Sequence, residues 1–139
     1  MGWSPYIYKF VDGGESPVPL DLQLVRAVLE PHDVGNPELK VCEDGSLQFW
    51  IRAPDGSEAE LFVDDLGIAV HRPHAGGVWS IVAELVSQLG AIVINPSRAG
   101  VVCRTEEYAD LPPSMQRDAV IVEMRGEALE EALVGPQNS

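Results

Sequence analysis

The segment His71-Arg72-Pro73-His74-Ala75-Gly76-Gly77 gathers more residues able to do chemistry than any other stretch of the chain. It lies directly ahead of a stretch with helical apolar spacing, so free backbone amides are expected at its end. Outward amides, two glycines that let a backbone come close, two imidazoles and a guanidinium together suit a carboxylate or phosphate. Arg98, in the loop Asn95-Pro96-Ser97-Arg98-Ala99-Gly100, joins them if both loops share an edge. The candidate anion site is therefore His71, Arg72, His74, Gly76, Gly77 and Arg98. No Walker or G-x-G-x-x-G pattern accompanies it, so nothing marks a nucleotide.

Other chemistries are less well supplied. His71, His74, Cys103 and His32 include zinc-ligand types, but a spacing of three at a strand end does not aim two imidazoles at one point. Ser80 and Ser97 lack a G-x-S-x-G elbow, and neither Cys42 nor Cys103 sits in a local catalytic signature. Asp64-Asp65 and Glu106-Glu107, being sequence neighbours, point apart and read as solvated charge. The expectation is no metal and no cofactor; whether the chain is an enzyme stays open at this point, with the residues leaning against it.

A second candidate is a surface, and it depends on strand register. Residues 39–72 read as a β-meander. Within it, Ala53-Pro54-Asp55-Gly56-Ser57 has Pro, Asp and Gly where a type I turn with a glycine bulge needs them. That turn sets Ala53 opposite Ser57, and hence Ile51 opposite Ala59, Phe49 opposite Leu61 and Leu47 opposite Val63, all on one apolar face. Glu43-Asp44-Gly45 offers a similar turn that would place Val41 beside Leu47. Downstream, Asp64-Asp65-Leu66-Gly67 turns into Ile68-Ala69-Val70-His71-Arg72. The other face then carries Gln48 opposite Phe62, Trp50 opposite Glu60 and Arg52 opposite Glu58, with His71 nearby. Trp50, Phe62, Glu58, Glu60 and His71 thus form an aromatic pair ringed by acids, a composition suited to protein contact. A C-terminal segment folded over this face would instead bury both rings.

Two helices must carry the sheet. Asp21 is placed to cap the first, over about residues 21–30, with Leu20 and Val25 spaced as a hydrophobic staple and Glu30-Pro31 as its stop. The second, over about 77–89, shows Val78, Ile81, Val82, Leu85, Val86 and Leu89 along one side and ends at Gly90. Tyr6 to Phe10, Ala91 to Ile94, Val101 to Cys103 and Ala119 to Met124 read as further strands, and Thr105–Leu111 and Ala128–Leu133 as short helices. The order indicates an α+β single domain over residues 1–134, followed by a polar tail at 135–139. Its expected architecture is a two-layer sandwich: a mostly antiparallel sheet with both main helices on one face.

Composition sets the class of partner. The 139 residues are 45% hydrophobic, enough for a proper core without disulfide or metal staples. With 22 acidic against nine basic residues, the net charge of −13 makes nucleic acid and anionic membrane poor partners. The charge is uneven: −8 over residues 1–64, +1 over 65–105 and −6 over 106–139. The nearly neutral centre is either where an anion binds or simply where the most buried elements lie. The N-terminal residues lack the features of a secretory leader, and the expectation is a cytoplasmic protein with reduced thiols. The primary functional expectation is a non-catalytic acidic module that binds a basic protein partner. Inhibitor and immunity-type proteins that neutralise toxins share this size and charge. The alternative is a small-ligand or enzymatic domain using the His71–Gly77 loop with Arg98. An uncovered edge strand or the Trp50 face would also serve a homodimer.

Overall fold

Alternating apolar residues on both sides of the Asp55-Gly56 turn organise the sheet. In the computed structural model, which describes residues 5–35, 46–71, 74–95, 100–117 and 119–134, β2 (Leu47–Arg52) and β3 (Glu58–Val63) form a hairpin. The register is the expected one throughout, from Leu47 opposite Val63 to Arg52 opposite Glu58. Gly56 takes φ 90°, and the Ala53 amide donates to the Ser57 carbonyl at 2.9 Å, closing the bulged turn. β4 (Gly67–His71) continues the meander with Val63 opposite Ile68 and Phe62 opposite Ala69. The expected Val41 contact and the 135–139 tail fall outside the described residues.

Long-range pairing completes seven strands among the described residues, in the order β2-β3-β4-β1-β5-β6-β7. β1 (Tyr6–Tyr8) inserts between β4 and β5 (Ile92–Asn95), antiparallel to both. β6 (Gly100–Cys103) is antiparallel to β5, whereas β7 (Ala119–Ile121) runs parallel to β6. The parallel step follows from its connection: α3 (Thr105–Tyr108) and α4 (Pro113–Gln116) carry the chain back to the same end before β7 starts. The result is a mostly antiparallel α+β fold.

The helices that matter most share one face. α1 (Leu22–Leu29) begins where Asp21 accepts from the amides of Gln23 and Leu24. Pro31 turns its end into a short 3-10 segment, Glu30–His32. α2 (Val78–Leu89) and α5 (Gly126–Val134) pack against each other, and α1 flanks α2 on its other side. Phe49, Ile51, Leu61, Val63, Ile68, Val70 and Ile7 from the sheet join Val25, Leu29, Val82, Leu85, Leu129 and Leu133 in one buried cluster. Trp79 and Ala83, off the expected α2 stripe, are also buried, because α2 has a helix on each side as well as the sheet. A smaller cluster of Phe10, Ile92, Val101, Cys103 and Leu111 lies on the opposite face of β5 and β6, covered by the α3–α4 segment with Tyr108 and Met115.

Both ends of α2 are tied to the sheet. Gly90, at φ 66°, ends it in the left-handed conformation read from the sequence, and Lys9 Nζ donates to the Leu89 carbonyl at 2.9 Å. At the α5 junction the backbones come very close: a Cβ on Gly126 would stand 2.7 Å from Ser80 N and 2.8 Å from Ser80 Cα. Gly126→Ala is therefore expected to lower stability by about 1–3 kcal/mol through overpacking. Asp21→Ala should cost about 1 kcal/mol through loss of the α1 cap. Denaturant unfolding followed by circular dichroism measures both.

Candidate functional site

Strand alternation decides what the β2–β4 sheet shows to solvent. With the inner residues committed to α1, α2 and α5, the outer positions are Gln48, Trp50, Arg52, Glu58, Glu60, Phe62, Ala69 and His71. The α3–α4 segment covers the outer face only near β5 and β6, and α5 packs on α2, so neither closes over β2–β4. Trp50 is 46% exposed, and Phe62 and His71 are half-buried.

The rings are held in place by polar partners. Trp50 Nε1 donates to Glu58 Oε1 at 2.8 Å, and Arg52 Nε donates to Glu58 Oε2 at 2.6 Å. The indole hydrogen bond, and after it Arg52, hold the Glu58 carboxyl below the usual carboxylate range. Gln48 Nε2 donates to Glu60 Oε2 at 3.3 Å, and His71 meets Phe62 edge-on with centroids 4.8 Å apart. All five residues of the candidate contact surface therefore lie on one face, with Trp50 bonded to Glu58, Phe62 against His71, and Glu60 bonded to the neighbouring Gln48.

Sequence reasoning missed the extension of this face. Because β1 pairs with β4, Tyr6 stands beside Ala69, and Tyr6 and Tyr8 stack at 6.3 Å. With Phe62, Leu66, Pro17 and Asp64 they line a groove of about 520 Å³ that continues the Trp50 surface. Gly67 makes room for it: a Cβ there would press 2.9 Å from Cδ1 of the Tyr8 ring. The alternation Tyr6-Ile7-Tyr8 shows that the tyrosines share a face. Nothing local tells which strand β1 adopts as neighbour.

The His71–Gly77 segment is built differently from a free helix terminus. The Gly77 amide donates to Asp55 Oδ2 at 2.7 Å, and the Val78 amide donates to Ser57 Oγ at 2.8 Å. Asp55 Oδ1 in turn accepts from the Ser57 amide and hydroxyl, at 3.0 and 2.6 Å. The glycines do allow a close approach to an anion, as read from the sequence, but here the anion is the Asp55 carboxylate. Gly76 sits at φ 125°, and a Cβ there would stand 2.7 Å from Asp55 Oδ2. His74 is spent on strand pairing, with Nδ1 accepting from the Glu58 amide at 3.1 Å and its own amide donating to the Glu58 carbonyl at 2.9 Å. An incoming carboxylate or phosphate would have to displace Asp55 to reach the Gly77 amide. Arg72 and Arg98 lie outside the described residues, as does Cys42.

The remaining reactive groups are muted. Cys103 is a free, buried thiol whose pKa is pushed up to about 11, first by burial and then by the Glu107 carboxylate, so it stays protonated. Glu107, 6% exposed, is held by a bidentate Arg104 at 2.8 and 2.6 Å. Among the described residues no three of His, Cys, Asp and Glu converge to hold a metal ion, and no helix is long and apolar enough to cross a membrane. No protein-family model, curated protein or solved structure matches the chain.

Asp55 gives a sign-definite pH effect. Its carboxyl is lowered from 3.8 to about 2, chiefly by the Ser57 hydroxyl and then by the Gly77 amide. A depressed folded-state pKa contributes stability that is full above the unfolded value and is lost as pH falls toward the folded one. Asp55→Ala should lower the thermal midpoint at neutral pH, and the gap to the parent protein should narrow between pH 4 and pH 2. Calorimetry across that range makes the check.

Proposed function

We propose that the chain is a non-catalytic acidic binding module whose β2–β4 outer face docks a basic protein. The observation that carries the reading is Trp50. It is a large aromatic, 46% exposed on a regular strand, with its indole N–H fixed by an anionic Glu58. Rigid aromatics lose little freedom on binding, and such residues supply much of the energy at interfaces. Phe62, Tyr6 and Leu66 extend the apolar centre, and Glu58, Glu60 and Asp64 with Asp65 supply a negative rim. The net charge of −13 adds a long-range field that speeds encounter with a basic target. A role as an inhibitor or immunity-type protein fits this size, charge and surface. A cytoplasmic location fits the free thiol of Cys103.

Affinity capture from the source cell, followed by kinetics with the purified partner, tests the reading. Trp50→Ala should weaken binding by about 2 kcal/mol, roughly thirtyfold, and shift stability by less than about 1 kcal/mol. Association with the parent protein should slow by roughly tenfold as salt is raised from low to high ionic strength. A captured partner that binds the Trp50→Ala protein equally well, or whose association ignores salt, would overturn it.

A further inference from the structure

We propose that the groove between β1 and β3 is the specificity pocket of the docking face and holds one arginine side chain of the basic partner. It rests on the docking reading for the source of that arginine. Rows across the sheet build the groove. On the outer face Ala69 of β4 stands between Phe62 of β3 and Tyr6 of β1. In the next row Gly67 stands beside Tyr8, and the Asp64 amide donates to the Gly67 carbonyl at 3.0 Å. Two small residues thus lie between taller ones on strands roughly 9.5 Å apart, twice the strand spacing. A trough is left along β4, about 520 Å³ in volume. Its tyrosine wall is firm: Tyr8 packs on the cluster of Phe10, Ile92 and Leu111, and the planes of the Tyr6 and Tyr8 rings are only 23° apart.

Charge selects the occupant. Among the described residues Asp64 is the one charged group that lines the groove. Its Oδ1 accepts from the Leu66 and Gly67 amides at 2.9 and 2.8 Å, which fixes the carboxylate at the end of the trough beside the exposed Asp65. The nearby bases are engaged elsewhere, Lys9 on the Leu89 carbonyl and Arg52 on Glu58. Aromatic faces next to a fixed carboxylate favour a cation that is flat and weakly hydrated. A guanidinium stacks on a tyrosine ring and pairs with a carboxylate at the same time, and its methylenes can lie against Ala69 and Leu66. A lysine ammonium is a point charge that gives up more hydration for less stacking. A second copy of this chain carries the same −13 and is repelled.

An NMR titration of the isotope-labelled full-length protein with acetyl-Gly-Arg-Gly-amide tests the pocket. The peptide should shift the Gly67 and Ala69 amides saturably, with Kd on the order of 1–10 mM. The citrulline peptide, of the same shape without the charge, should bind at least roughly fivefold more weakly, and the lysine peptide at least roughly threefold. Asp64→Asn keeps an acceptor for the two turn amides, removes the charge and should weaken the arginine peptide by roughly fivefold. Ala69→Leu fills the trough from the outer face and should abolish the shifts while the unfolding midpoint stays close to the parent's. Trp50 does not line the groove, so Trp50→Ala should leave the peptide affinity unchanged. No saturable shift up to about 50 mM peptide, or equal binding of the citrulline peptide, overturns the proposal. A lysine peptide that binds as tightly overturns the choice of arginine. A captured partner weakened by Trp50→Ala but not by Ala69→Leu overturns the pocket and leaves the docking face standing. A partner weakened by Ala69→Leu but not by Trp50→Ala supports the pocket and overturns the role of Trp50.

Discussion

The placement of α2 governs everything else, and it is fixed by polar contacts at both of its ends. At the N-terminus the β2–β3 turn reaches over: Asp55 and Ser57 accept from Gly77 and Val78, two of the amides that a helix start leaves unpaired. At the C-terminus Lys9, just after β1, donates to Leu89. The helix is thereby pinned along the inner face of the meander, and α1 and α5 pack on its two flanks. Apolar burial supplies the driving force for this layer, but burial has no direction. The hydrogen bonds at the two ends define where along the sheet α2 comes to rest.

The outer face follows from that choice. With three helices on one side, only the short α3–α4 segment among the described residues lies on the other, where it packs against β5 and β6. Trp50, Phe62, Tyr6 and Leu66 are left without helical cover. Charged neighbours organise the gap, since one carboxylate, Glu58, accepts from both the indole and Arg52. The same hydrogen bonds that order the ring lower the pKa of that carboxyl.

Local chemistry was legible in the sequence, and long-range neighbourhood was not. The Pro54-Asp55-Gly56 turn sets a register that holds over six residue pairs, and from it came the separation of Trp50 from Phe49. Asp21 and Gly90 marked helix ends because capping uses residues within three or four positions. The central insertion of β1, the parallel β7 and the docking of α5 on α2 depend on contacts far apart in sequence, for which a single chain carries no periodic signal. The glycines at 76 and 77 show the boundary well. Their need for close backbone approach was visible, but the approaching group, Asp55, lies more than twenty residues upstream. The nearly neutral stretch 65–105 likewise contains α2 and β5, among the most deeply buried elements, and its lack of charge is accounted for by that burial.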